Sequence, residues 1–249
     1  MYGWTTAQIK ERAKNSFRSF GYWNAFLVTL VISLLAGGGS GMGSGINIVL
    51  SNMSSSENSD TEFAAYAVIL ILVLIVSLIA IAMSVFIVPA LMVGQNRFFM
   101  EHRGSESSVS SLLYAFRCGS YFNVVKVMFL MNLKIFLWSL LFIIPGIIKS
   151  FEYFAVPYIL AENPGIDSRR AFEISKQMTM GEKFNIWWLG ITFIGWYLLS
   201  MLACGIGGIF LAPYVQATYA EVYALLRDKA HESGISDFSE LPGFFPSRF

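Results

Sequence analysis

Between Phe63 and Asn96 the chain reads FAAYAVILILVLIVSLIAIAMSVFIVPALMVGQN, without one charged side chain. The hydrocarbon core of a bilayer is about 30 Å thick and is crossed by on the order of 20 helical residues, so this stretch spans with length to spare. Backbone polar groups in lipid must bond within their own segment, which makes the stretch a helix. The fold class that follows is an all-α, polytopic membrane helix bundle.

Working outward, five more apolar segments approach the required length: Phe20 to Ala36, Phe122 to Ile144, Ile147 to Ala161, Phe184 to Ala203 and Ile206 to Leu226. Six spans are therefore expected. The fourth holds only about 15 residues and follows Pro145-Gly146 directly, so it reads either as a short span or as a re-entrant half-helix. The first runs into glycines rather than a small-residue cleavage site and is expected to be retained.

Composition agrees with this class. Of 249 residues, 55% are hydrophobic and 13% charged, against roughly 25% charged in a typical soluble domain. The net charge of +1 leaves no excess of Lys and Arg for phosphates, so no nucleic-acid partner is expected.

Basic residues concentrate on the cytoplasmic side of bacterial membranes, and their positions here alternate with the spans. Lys10, Arg12, Lys14 and Arg18 precede span one; Arg97, Arg103, Arg117 and Lys126 follow span two. Arg169, Arg170, Lys176 and Lys183 follow span four, and Arg227, Lys229 and Arg248 follow span six, while the opposite loops hold only Lys149. Both termini are therefore expected in the cytoplasm of a bacterial plasma membrane. The loop from Gly37 to Glu62, acidic through Glu57, Asp60 and Glu62, is expected outside, its Gly/Ser-rich start reading as a linker. Cys118 and Cys204 then fall near opposite faces, too far apart for a disulfide.

Self-similarity divides the chain further. Before spans one, three and five stand Gly21-Tyr22-Trp23-Asn24, Gly119-Ser120-Tyr121-Phe122-Asn123 and Gly181-Glu182-Lys183-Phe184-Asn185. Spans two, four and six carry Phe86-Ile87-Val88-Pro89-Ala90, Phe154-Ala155-Val156-Pro157-Tyr158 and Phe210-Leu211-Ala212-Pro213-Tyr214. Three hairpin repeats are expected, over 20–104, 105–165 and 166–227, with a cytoplasmic segment 1–22 and a tail 228–249. Each hairpin would follow an interfacial amphipathic helix: Ile9 to Phe20 and Ser168 to Met180 alternate basic and apolar positions at helical spacing, and Ser107 to Arg117 does so more weakly.

Pro89, Pro157 and Pro213 are expected to kink their helices and to free the carbonyls of Val85, Tyr153 and Ile209. Such kinks either line a central crevice or help the bundle pack. Among ionisable residues inside spans, where charge is costly, the candidates are Lys134, Glu152 and Glu221. Lys134 lies near the middle of span three, as a functional group or buried between helices. Glu152 follows Lys149 by three residues and should pair with it near the outer surface. Glu221 lies near the cytoplasmic end of span six, within reach of water.

Standard catalytic patterns are missing from the sequence. Neither His102 nor His231 lies beside a Cys or Asp/Glu cluster at ligand spacing, so neither a metal nor a cofactor is expected. No Gly-x-Ser-x-Gly, His-Glu-x-x-His or Walker pattern occurs, and the expectation is that the protein is not an enzyme. The tryptophans Trp4, Trp23, Trp138, Trp187, Trp188 and Trp196 read as interfacial anchors.

The stretch from Leu137 to Ser150, LWSLLFIIPGIIKS, followed by Pro157-Tyr158-Ile159-Leu160-Ala161-Glu162-Asn163-Pro164, resembles the bacterial membrane family known as domain of unknown function 975. Further similarity lies in Arg12-Ala13-Lys14, Gly94 with Arg97-Phe98-Phe99, Phe193-Ile194-Gly195-Trp196 and Pro213-Tyr214, but not in the glycine-rich loop or the tail after Arg227. The resemblance implies a multi-span membrane protein, mostly of Gram-positive bacteria, and brings no activity or catalytic residue with it.

Two functions fit. One is a membrane-embedded binding, scaffold or accessory subunit whose partners are the lipid bilayer and a membrane protein, peptide or lipid. The other is a small transporter or export component with a crevice between kinked helices. A transporter needs polar residues facing one another at mid-depth, and beyond Lys134, Asn132 and Gln216 few are available, which favours the first. The charge pattern predicts that a cysteine at Ser55, with Cys118 and Cys204 replaced by serine, reacts with a membrane-impermeant maleimide in intact cells. Labelling only after lysis would reverse the orientation.

Overall fold

A computed structural model of the protein describes residues 4–20, 22–37, 60–104, 107–202 and 206–244. Gly21, Cys204, Arg248 and most of the glycine-rich loop lie outside the described residues. These residues hold helices and turns and no strand: α1 (Thr6–Phe20), α2 (Trp23–Gly37), α3 (Asp60–Glu101), a 3-10 turn (Val109–Leu113) running into α4 (Tyr114–Arg117), α5 (Tyr121–Leu141), α6 (Ile143–Glu152), α7 (Val156–Glu162), α8 (Ser168–Met178), α9 (Lys183–Leu202) and α10 (Ile206–Glu232).

Four segments are long and apolar enough to cross a membrane: Ala67–Glu101, Tyr121–Leu141, Ile143–Glu162 and Lys183–Met201. They mark a membrane protein. Of the other two spans read from the sequence, the first is represented by the shorter apolar helix Trp23–Ser33. The sixth falls in α10, whose second half carries Thr218, Glu221 and Arg227 and is buried by protein.

The segment Ile143–Glu162 is two helices around a turn at Tyr153-Phe154-Ala155. α6 alone is ten residues, about 15 Å, half the thickness of a hydrocarbon core. α7 is buried along nearly its whole length, from Val156 to Glu162.

The chain divides into two units, residues 31–88 and residues 1–30 with 89–249. Within the first, the part of α3 from Val68 to Phe86 exposes its apolar side chains all round. Its hydroxyls are bonded inside the helix, Ser77 to the Val73 carbonyl and Ser84 to that of Ile81, as a low-dielectric surrounding requires.

The second unit has a packed end and an exposed apolar end. Its core gathers Ile9 and Ala13 of α1, Phe98 and Phe99 of α3, Val124 and Met128 of α5, Ile159 and Leu160 of α7, Ile186 and Leu189 of α9, and Tyr223 and Leu226 of α10. By contrast Leu140, Ile143 and Ile144, where α5 turns into α6, are 74, 76 and 72% exposed, and Trp196, Leu198, Leu199, Met201 and Phe210 are exposed as well.

Two glycines set the turns before α5 and α9. Gly119 (φ +74°) precedes α5 and Gly181 (φ +83°) precedes α9, both in the left-handed region that only glycine adopts without strain. Asp167 then starts α8, its carboxylate accepting the Arg169 backbone N–H at 2.9 Å. The α5/α6 turn is a single extended residue, Phe142, and Gly146 brings α6 against the Ser139 backbone.

The apolar stripes expected to lie on lipid headgroups are instead packed on protein. Ile9 and Ala13 of α1 are buried and Tyr214 of α10 donates to the Lys10 carbonyl; Ala171, Phe172, Ile174 and Met178 of α8 are likewise buried. Helical periodicity marks an apolar face without saying whether lipid or protein covers it.

The prolines also differ from one another. Pro89 and Pro213 lie inside α3 and α10, but Pro157 stands in the first turn of α7, where a missing N–H costs nothing. It therefore does not kink a helix, and the Tyr153 carbonyl accepts Val156 N–H. Near Pro213, the Phe210 carbonyl accepts the Tyr22 hydroxyl at 2.6 Å.

Gly94 of α3 faces the Leu112 carbonyl so closely that a Cβ there would overlap backbone atoms. Gly94→Ala is expected to lower stability by about 1–3 kcal/mol, read as a fall in the thermal midpoint of the detergent-solubilised protein. An unchanged midpoint would show that α3 and the 3-10 turn do not meet there.

Candidate functional site

Two lysines converge on Glu152, and a third, Lys134, lies over the ring of the next residue, Tyr153. Lys149, one turn earlier on α6, donates to Oε2 at 2.5 Å, and Lys183, the first residue of α9, donates to Oε1 at 2.6 Å. The Glu152 backbone carbonyl accepts the Ser175 hydroxyl of α8 at 2.7 Å and, at 3.5 Å, that of Thr179. One residue at the end of α6 thereby binds α8 and α9.

Lys134 completes the cluster from α5. Its ammonium lies 3.6 Å from the centroid of the Phe172 ring and 5.8 Å from that of Tyr153. The Lys149 ammonium lies 5.9 Å from the centroid of the same Tyr153 ring and 5.5 Å from that of Trp138. Three ammonium groups and one carboxylate leave a formal surplus of two positive charges, walled by aromatic faces that favour cations.

The i, i+3 pairing of Lys149 with Glu152 is as the sequence reads it; the depth is not. Glu152 is bonded to Lys183 at the start of α9, so the two lie at one level, and the expectation that sets Glu152 near the outer surface and Lys183 on the cytoplasmic side cannot hold for both. The half-length of α6 is the physical reason, since it ends after about 15 Å.

Glu221 is also placed differently from its reading. It is buried, and its two oxygens accept Nε and Nη2 of Arg103 at 2.9 and 3.1 Å, a bidentate pair that joins the segment after α3 to α10. Water reach is not needed to hold its charge. Of the sequence candidates, the structure brings Lys134 and Glu152 into one cluster and leaves Glu221 and the three prolines outside it.

Several polar residues that matter to the fold are invisible as such in the sequence. Arg227 and Glu162 form a buried pair at 3.1 Å, and the other Glu162 oxygen accepts the Gly243 N–H of the tail. Arg97 bonds Glu101 and the Ala161 carbonyl and stacks 3.6 Å from the Tyr114 ring centroid. Arg170 holds the tail through both oxygens of Glu240, and these bonds keep the Glu240 carboxyl below the usual carboxylate range. These arginines read in the sequence only as positive charge near a membrane.

A cavity of about 310 Å³ opens between α1 and α10, lined by Trp4, Ile9, Arg12, Glu182, Leu226 and Lys229 among others. Burial pushes the Glu182 carboxyl up, but hydrogen bonds from Lys229 and Asn185 outweigh it and hold the group below its ordinary value. Neither Lys134 nor the three prolines line this cavity.

The helices and their exposed apolar surfaces define the chain as an all-α protein with membrane-crossing helices. Residues 140–230, from the end of α5 to the end of α10, match the model of a family described as "Protein of unknown function (DUF975)", the family that the sequence resembles. The matched region contains Lys149, Glu152, Lys183 and Glu221, and Lys134 precedes it. No curated protein and no solved structure matches the chain.

Glu152→Gln is expected to destabilise the protein by about 2 kcal/mol, less than a wholly buried pair because the Lys149 and Lys183 side chains are 23 and 33% exposed. In a double-mutant cycle with Lys183→Gln, thermal unfolding in detergent should show a combined loss smaller than the sum of the two. Strict additivity would mean that the two groups do not interact.

Proposed function

We propose that this chain is a non-enzymatic, membrane-embedded binding or accessory subunit of the bacterial plasma membrane, with both termini cytoplasmic. The observation that carries this reading is the division of the second unit into an ion-paired, packed end and apolar hairpin ends. Side chains such as Leu140, Ile143 and Ile144 face outward with nothing of the unit covering them. Lipid or an apolar partner is the surrounding in which such surfaces are stable.

On this reading the end of α5 from Lys134 on and the ten-residue α6 form a re-entrant hairpin that dips through one leaflet, the first half of α5 being packed in protein, while α9 at 20 residues crosses the whole core. The Glu152–Lys183 contact supports that reading, because it sets the roots of the two at one level.

Transport is the less favoured reading, since its expected parts are engaged elsewhere. Lys134 faces the Phe172 ring, and Pro157 begins a helix instead of bending one.

Reconstitution separates the two. Proteoliposomes containing the full chain are expected to stay as tight to chloride, phosphate and small organic anions as empty vesicles, with Lys134→Leu no different. A saturable anion flux lost in Lys134→Leu would overturn the binding reading in favour of transport.

A further inference from the structure

We propose that the cluster of Lys134, Lys149 and Lys183 binds the phosphate of an anionic phospholipid headgroup, with the acyl chains lying along α6. The proposal rests on the membrane-embedded reading above and names the ligand of its lysine cluster.

Charge is the first argument. Glu152 already receives one hydrogen bond on each oxygen, from Lys149 and Lys183, and neutralises one of the three ammonium groups. Among the described residues, Lys134 contacts rings and no carboxylate or carbonyl oxygen: it lies against Phe172 and Tyr153. A cation held on a ring face by one side keeps N–H donors on the other, and three donors per lysine suit a tetrahedral anion as point charges. A phosphate diester carries the single negative charge that such a surplus attracts.

Access is the second. The Lys134, Lys149 and Lys183 side chains are all partly exposed, so an anion reaches them without opening the core. Trp138 beside Lys149, and Trp187 and Trp188 one turn beyond Lys183, are exposed aromatics of the kind that settle at headgroup level.

Geometry is the third, and it selects a lipid over a free anion. From Glu152 back to Ile143, α6 runs about 15 Å with Ile148, Ile147, Ile144 and Ile143 exposed along it. That is the depth of one leaflet's acyl chains. A headgroup at the lysines would therefore lay its chains on this apolar strip over their full length.

The test uses the delipidated full chain in detergent, titrated in native mass spectrometry with phosphatidylglycerol, with phosphatidylcholine of the same acyl chains, and with inorganic phosphate. The expected result is tighter binding of phosphatidylglycerol than of phosphatidylcholine. Lys134→Gln should weaken phosphatidylglycerol about fivefold, and Lys134→Gln with Lys149→Gln by a similar factor again, with phosphatidylcholine unchanged. Lys134→Arg should retain the preference, and an unaltered thermal midpoint for Lys134→Gln shows that the loss is not unfolding. Equal affinity for the two lipids, or phosphatidylglycerol binding unchanged in both glutamine variants, would overturn the proposal; inorganic phosphate binding as tightly as phosphatidylglycerol would overturn the lipid assignment. A protein that moves solute can still bind lipid here, so these outcomes are independent of the flux measurement.

Discussion

Glu152 is the point on which the arrangement of the second unit turns. Its carboxylate lies between Lys149 and Lys183 and its carbonyl accepts from Ser175, so the end of α6, the start of α9 and the body of α8 are held by one residue. A carboxylate removed from water must be paired and bonded on both oxygens, and few other arrangements of these helices would satisfy it. Because α6 is only ten residues long, this knot also fixes how far the α5/α6 turn reaches beyond the root of α9.

The polar residues of the packed end follow the same rule. Arg103 with Glu221, Arg227 with Glu162, and Lys229 with Glu182 each bring a basic group to an acid from a distant part of the chain. Such pairs give little net stability after desolvation, but an unmatched partner would be costly, so they restrict which helices can adjoin. At the opposite end the requirement is reversed: side chains around Phe142 and Trp196 have no polar duty and need only a surrounding as apolar as themselves.

Much of the helix content was legible because apolar runs are long and their ends are marked. Gly119 and Gly181 sit in left-handed turns before α5 and α9, close to the expected starts of the apolar segments. What misled was the meaning of the amphipathic and proline signals. The stripes of α1 and α8 are covered by neighbouring helices, and Pro157 occupies a first turn, yet both patterns look the same in one dimension as a lipid-facing helix or an internal kink. The candidate site was half legible: Lys134 and Glu152 stand out as charges among apolar residues, whereas Lys183 looked like one more basic residue at a helix start.

The sequence by itself determined the solvent this protein needs, because hydrophobicity and charge are properties of each residue summed along a helix, and a run such as 63–96 has few other readings. It also determined the i, i+3 pairing of Lys149 with Glu152, which depends on one turn of one helix. Only the tertiary structure decided that Lys183 completes that pair, that Glu221 belongs to Arg103, and that the apolar stretch 147–161 breaks into two helices with different surroundings. Those outcomes depend on which helices meet across tens of residues, and a short-range pattern contains no term for that distance.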